Sequence, residues 1–268
     1  MRLLAVETSG TYGSIALMEG QRVLDEVCLA EGLRHARDLV VAIRDACNRA
    51  AWDRRRIDVV AVSIGPGSFT GIRIAVTFAK FVAWDTGAKV VAVPTLRALA
   101  ENAPGACGRI VPILDAKRGG LFASIFERRS GPPPSGSAGI LSDLDETFGP
   151  ALIEPEDLAR RLESQCAPAG LAPPCGGAGA EPRDRARPAA AHPGGAVFIL
   201  GPGIPKGRAA LAGFELAPEP MWNVRPAVVA HLGWQLHEEG RYADPLRLEP
   251  VYIRPPEAQE IWERKHGK

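Results

Sequence analysis

The chain has 268 residues, 46% of them hydrophobic and 24% charged, with a formal net charge of +1. That size suits one large domain or two ordinary ones, and the balance is that of a globular protein. The near-zero charge excludes a global field for nucleic acid or anionic membrane, so any RNA contact has to be local or supplied by another protein.

No apolar run approaches the roughly 18 residues of a membrane span, and the run after Met1-Arg2 stops at Glu7, too short for a secretory signal. Five cysteines, with no C-x-x-C pair, point to reduced thiols and a cytoplasmic setting.

In chain order, Leu3 to Thr8, Gly13 to Met18 and Val23 to Leu29 read as antiparallel strands joined by short turns. A helix is predicted from Leu33 to Ala50, with Ala36, Leu39, Val40, Ile43, Ala46, Cys47 and Ala50 on one face. Ile57 to Ile64 is a nearly unbroken apolar run, as in a strand buried on both faces. A helix from Gly71 to Asp85 follows, then a strand at Val90 to Val93. Thr95 is placed to N-cap a helix from Leu96 to Asn102.

The second half starts the same way. Ile110 to Leu114 and Leu121 to Phe126 read as strands, with a third near Ile140-Leu141. Helices are predicted at Pro155 to Ser164, Lys206 to Ala212 and Pro226 to Glu239, and a strand at Val197 to Leu200. The repeated order suggests two similar α/β subdomains on mixed sheets sharing a cleft, at 1–105 and 106–254, with a tail at 255–268. Residues 166–195 are Ala, Pro and Gly with a few arginines, and read as a disordered insertion. Residues 130–139 form a shorter loop of the same kind.

Ser63 to Lys80 is the most informative stretch: a buried strand, a loop Gly65-Pro66-Gly67-Ser68-Phe69-Thr70-Gly71, then a helix. The loop is neither a P-loop nor a full G-x-G-x-x-G. It either admits a phosphate at the helix N-terminus or makes a tight turn capped by Ser68 or Thr70. The helix is apolar over roughly 220° of its circumference, which buries it on two sides. Gly71, Ala75, Ala79 and Ala83 form a small-residue stripe, and Ile74, Phe78, Phe81 and Val82 a bulky one. Small stripes permit close approach of another helix. Two sides buried means either a partner or a sandwich within the chain's own fold.

The hairpins Glu7-Thr8-Ser9-Gly10 and Asp115 to Gly120 are candidate phosphate holders, although ordinary turns use the same residue types. Metal and nucleophile signals are missing. His35, His192, His231, His237 and His266 show no ligand spacing, and neither G-x-S-x-G nor H-E-x-x-H occurs.

Leu4 to Thr8 with its hairpin, Ser63 to Lys80, Val93-Pro94-Thr95, Leu114 to Arg118 and Leu248 to Arg254 together resemble the TsaB (YeaZ) family. The match covers most of the chain outside 130–139 and 166–195. The resemblance implies an actin-like/Hsp70-like ATPase (ASKHA) fold of two RNase H-like subdomains, within the Gcp-like, glycoprotease-type superfamily. It implies a non-catalytic scaffold and activator subunit of the complex that adds threonylcarbamoyl to N6 of adenosine 37 in tRNAs reading ANN codons. Expected partners are the catalytic paralog TsaD, the ATPase TsaE, a second copy when alone, and tRNA through the complex. No cofactor is expected on this chain, with ATP and metal on the partner subunits.

The paralog's metal-binding H-x-x-x-H register falls here on Arg97 and Glu101. The family's dimer contact uses its first two helices. That implies a partner interface of Leu39, Val41, Ile43, Gly71, Ile72, Ala75, Val76, Ala79, Val82 and Ala83. A vestigial nucleotide site would involve Thr8, Ser9, Gly10, Asp115 and Gly201. Two departures from the family pattern weaken that site: Glu7 where many relatives carry Asp, and the turn Asp115-Ala116-Lys117-Arg118-Gly119-Gly120. The alternative is an independent nucleotide-dependent phosphotransferase or peptidase of the same fold, supported by the two hairpins.

Overall fold

A computed structural model gives the architecture and describes residues 1–29, 35–129, 141–166, 197–254, 262–263 and 265–267. The expected insertion at 166–195, apart from Cys166, and the loop at 130–139 lie outside the described residues, as do Leu33, Ile140 and much of the tail.

The first half orders its strands as β3 (Arg22–Cys28), β2 (Ser14–Glu19), β1 (Arg2–Glu7), β4 (Val59–Gly65) and β5 (Lys89–Pro94). Strands β1 to β3 are antiparallel neighbours, while β4 runs parallel to β1 and β5 to β4. The second half repeats the pattern with β8 (Leu144–Ile153), β7 (Leu121–Arg128), β6 (Arg109–Asp115), β9 (Val197–Leu200) and β10 (Glu215–Leu216). Each strand has its counterpart, and the paired directions match. The chain is two RNase H-like units of actin-like topology.

The two-residue period of the central strands decides the layers. In the first sheet, Leu4, Val6, Ile15, Leu17, Val60 and Val62 face α1 (His35–Arg49) and α2 (Phe69–Thr86). The alternate residues Leu3, Ala5, Ala16, Met18 and Ala61 face α6 (Pro226–Glu238). Helix α6 comes from the second half of the sequence yet packs on β1, β2, β4 and β5. In exchange, α3 (Thr95–Ala100) packs on β6 and β7 of the second sheet. The exchanged helices tie the two units together. Helices α4 (Pro155–Cys166) and α5 (Ile204–Gly207) complete the second unit.

Two local expectations change. The third strand of the second half is β8, Leu144–Ile153, not Ile140-Leu141. It is an edge strand, where Pro150 costs no ladder bond, and its many exposed residues blur the alternation. Thr95 does not cap α3. Pro94 holds the cap position, while Thr95 is buried and its hydroxyl donates to Ser9 Oγ at 3.2 Å.

His231 of α6 is buried with Nδ1 unpaired, and burial followed by Arg225 pushes its pKa down from 6.5. The unfolded chain therefore binds the extra proton more readily. The stability this group contributes is full above pH 6.5 and is lost as pH falls through the lowered folded value. His231→Leu should flatten the stability profile below pH 6.5, measured by urea unfolding at a series of pH values.

Candidate functional site

Helix α2 is launched from β4 by the loop Gly65 to Ser68. The Gly65-Pro66 bond is cis, and Ser68 Oγ caps the helix by accepting from the Gly71 amide at 3.3 Å. The loop is seated on the first hairpin. Ser68 N donates to Ser9 O at 2.7 Å, and Thr8 Oγ donates to Gly71 O at 2.7 Å. A Cβ on Gly67 would lie 2.5 Å from Ser9 O, and one on Gly71 only 1.8 Å from Thr8 O. These glycines bring two stretches of backbone together. They make the tight capped turn, with Ser68 as the cap.

Beneath that seat, Glu7 is buried. Its Oε1 accepts from Ser9 N at 2.5 Å and Ser9 Oγ at 2.6 Å, and its Oε2 accepts from Ser63 Oγ. Burial pushes the Glu7 carboxyl above its usual range, and the Ser63 and Ser9 hydrogen bonds work against it.

At the second hairpin, Asp115 Oδ1 accepts from Lys206 Nζ at 2.5 Å and from the Lys117 amide at 2.7 Å. Its carboxyl is held low; burial opposes this, and the bonds from Lys206 and Lys117 prevail. Gly201, after β9, is backbone packed on β6, since a Cβ there would lie 2.2 Å from Ile113 O. The structure thus places Thr8, Ser9 and Gly10 around one hairpin, and Asp115 and Gly201 around the other, each engaged with its own chain. Among the described residues no group of three His, Cys, Asp or Glu could hold a metal ion.

The outer face of α1 and α2 is different. Val40 and Val41 of α1 are 56% and 41% exposed, and Phe81 and Trp84 of α2 are 57% and 82% exposed. Phe81 and Trp84 rings lie 6.2 Å apart. Beside them, the segment after α6 crosses α2. Tyr252 stacks on Phe69 at 4.8 Å, Val251 N donates to Ile64 O, and Arg254 reaches the Ala116 carbonyl. Between this strap and α2 lies a groove of about 410 Å³ lined by Phe69, Arg73, Thr77, Lys80, Glu249 and Tyr252, among others.

The expected interface needs correction here. Leu39, Ile43, Gly71, Ile72, Ala75, Val76, Ala79, Val82 and Ala83 are buried inside the chain, and only Val41 of that set is exposed. The small stripe lets α2 lie close on its own sheet. The outward side carries the bulky residues, with Ile74 and Phe78 half-buried and Phe81 exposed. Sequence reasoning selected neither Trp84 nor Val40 for the interface; a bulky side chain on the far side of a small-residue stripe was the signal.

A family model described as "TsaD: tRNA N6-adenosine threonylcarbamoyltransferase" matches residues 31–130. A Bacillus subtilis protein named tRNA threonylcarbamoyladenosine biosynthesis protein TsaB is 33% identical over 131 residues, 49% of this chain and 57% of that one. The Escherichia coli protein of the same name is 28% identical over 48% of this chain and 56% of its own. The chain is similar to proteins of the TsaB (YeaZ) family over about half of its length. It spans just over half the length of these curated relatives. The solved structure of YeaZ from Pseudomonas aeruginosa shares the fold over 94% of this chain and 99% of its own, with a TM-score of 0.66 and 21% identity.

The two positions that the resemblance set on a metal-binding register hold a charged pair instead. Arg97 and Glu101 pair with each other across one turn of α3. Glu101 is buried, and its other oxygen accepts from Ser142 N at 2.9 Å. The pair ties α3 to the segment leading into β8.

Proposed function

We propose that the chain is a non-catalytic scaffold and activator subunit for tRNA threonylcarbamoyladenosine synthesis in the cytoplasm. Its partner would be a TsaD-type catalytic paralog, with the ATPase TsaE joining them and tRNA reached through the complex. The product is threonylcarbamoyl on N6 of adenosine 37 in tRNAs that read ANN codons. A second copy would occupy the same face when the paralog is absent. ATP and metal would reside on the partner subunits.

The observation that carries this reading is the exposed apolar face Val40, Val41, Phe81 and Trp84. Large apolar side chains grouped on adjacent helices mark a docking surface, and aromatic anchors dominate such interfaces. The relatives' name and the TsaD-type family model support the choice of partner. No helix among the described residues is long and apolar enough to cross a membrane. The alternative of an independent phosphotransferase or peptidase gains no support, because both hairpins engage their own chain.

The test is the modified base itself. In host cells depleted of this chain, the threonylcarbamoyladenosine content of bulk tRNA is measured by mass spectrometry. The wild type should restore it. Val41→Glu combined with Phe81→Arg should restore little, although both side chains lie on the surface. Full restoration by the double variant would refute the proposal.

A further inference from the structure

The groove between α2 and the strap Leu248 to Tyr252 carries charges that the described residues leave unanswered. Phe69, Arg73, Thr77, Lys80 and Trp84 fall within about 80° of one side of α2, as the helical period requires. They run aromatic, cation, hydroxyl, cation, aromatic. Arg73 lays its guanidinium over the Phe69 ring at 5.2 Å, and Phe69 stacks in turn on Tyr252 at 4.8 Å. That stack holds the guanidinium by its face and leaves its N–H edge free. Among the described residues no carboxylate lies within 4 Å of Arg73 or Lys80, and no acceptor meets the Arg73 N–H groups. Lys80 Nζ meets the Leu246 carbonyl at a long 3.5 Å. The one carboxylate lining the groove, Glu249, stands exposed on the strap wall and has no ion pair among the described residues.

We propose that this groove takes an acidic segment of the docked partner, with carboxylates on Arg73 and Lys80 and an apolar side chain against Val76 and Leu248. The inference rests on the docking reading above and adds the chemistry of the partner's contact. A groove of about 410 Å³ holds a few side chains and no folded element. It continues the docking face, because Lys80 directly precedes Phe81 and lies one turn before Trp84. A planar guanidinium with a free edge is the donor set that takes a carboxylate with two parallel bonds. Arg73 and Lys80 stand about 10 Å apart along the helix axis. Two acidic residues two helical turns apart, or three residues apart in an extended chain, meet both. Glu249 on the opposite wall repels a carboxylate there, which fixes the way round that the segment lies. The walls stand before the partner arrives: Val251 N donates to Ile64 O at 2.8 Å and holds the strap in place.

Charge reversal and salt test it together. The TsaD-type partner, from the same organism, is titrated calorimetrically into the full chain at about 0.05 M and about 0.5 M salt. Arg73→Glu combined with Lys80→Glu should bind about 10-fold more weakly than the wild type at the lower salt. The gap should narrow to about twofold at the higher salt, where screening removes the attraction. Arg73→Gln, which keeps the stem over Phe69, should lose about 3-fold at the lower salt. Neither side chain is buried, so each variant should melt within about 2 °C of the wild type. Equal affinity of the wild type and both variants at both salt concentrations overturns the groove inference and leaves the docking face standing. No binding by the wild type overturns both. Tighter binding by the double variant also overturns the inference, because a segment of this chain, such as residues 255–268, would then be the occupant.

Discussion

Gly71→Ala should destabilise the chain by about 3 kcal/mol or more, the opposite sign from the roughly 1 kcal/mol that Gly→Ala usually gains in a helix. The new methyl carbon would lie 1.8 Å from Thr8 O and 3.0 Å from Thr8 C. Both are backbone atoms of the central strand's end, so they cannot swing aside. The start of α2 would have to lift from the hairpin. That movement breaks the Thr8 Oγ bond to Gly71 O and the Ser68 N bond to Ser9 O. Each leaves a polar group without its partner at a cost of about 1–3 kcal/mol. For a chain of this size a loss of 3 kcal/mol lowers the melting temperature by roughly 6–12 °C. Urea unfolding checks it, with Thr8→Val as the companion that removes only the hydroxyl bond. A Gly71→Ala chain as stable as the wild type would mean that the glycine is not there for close approach.

The second large effect separates docking from folding. Phe81→Arg and Trp84→Asp change side chains 57% and 82% exposed, so each should alter stability by no more than about 0.5 kcal/mol. Aromatic anchors at the centre of an interface typically cost about 2–4 kcal/mol when removed, or roughly 30- to 1000-fold in affinity. Ala79→Arg would behave in the reverse way. Ala79 is fully buried against its own sheet, so a guanidinium there should unfold the chain before any partner is met. Sedimentation of the isolated variants adds a second readout, since a second copy would use the same face.

Much of this was legible in the sequence because the central strands alternate cleanly and the helices carry one dominant apolar face. The repeat of hairpins, helix, strand and helix was visible, and it became two sheets of identical strand order. The strands around Leu3, Ile15, Val60 and Val91 fall where the pattern puts them. The error on α2 has a physical cause. Gly71, Ala75, Ala79 and Ala83 permit close approach to a helix or to a sheet equally, and periodicity does not say which arc is covered from within. Only the packing of α2 on β4 and β1 settles it. Strand β8 was missed because an edge strand with Gly149 and Pro150 has neither the alternation nor the apolar run of a central one. Glu7 was read as a departure from the family pattern. Its partner Ser63 stands 56 residues away, and nothing short of the β1–β4 register unites them.

The central claim is that this chain acts by docking a TsaD-type partner through the outer face of α1 and α2. The most direct test is calorimetric titration of that partner, from the same organism, with the wild type and with Phe81→Arg. The account predicts a dissociation constant at least about 30-fold weaker for the variant, with its melting temperature changed by no more than about 2 °C. Equal affinity in the two titrations, with both chains folded, would contradict it.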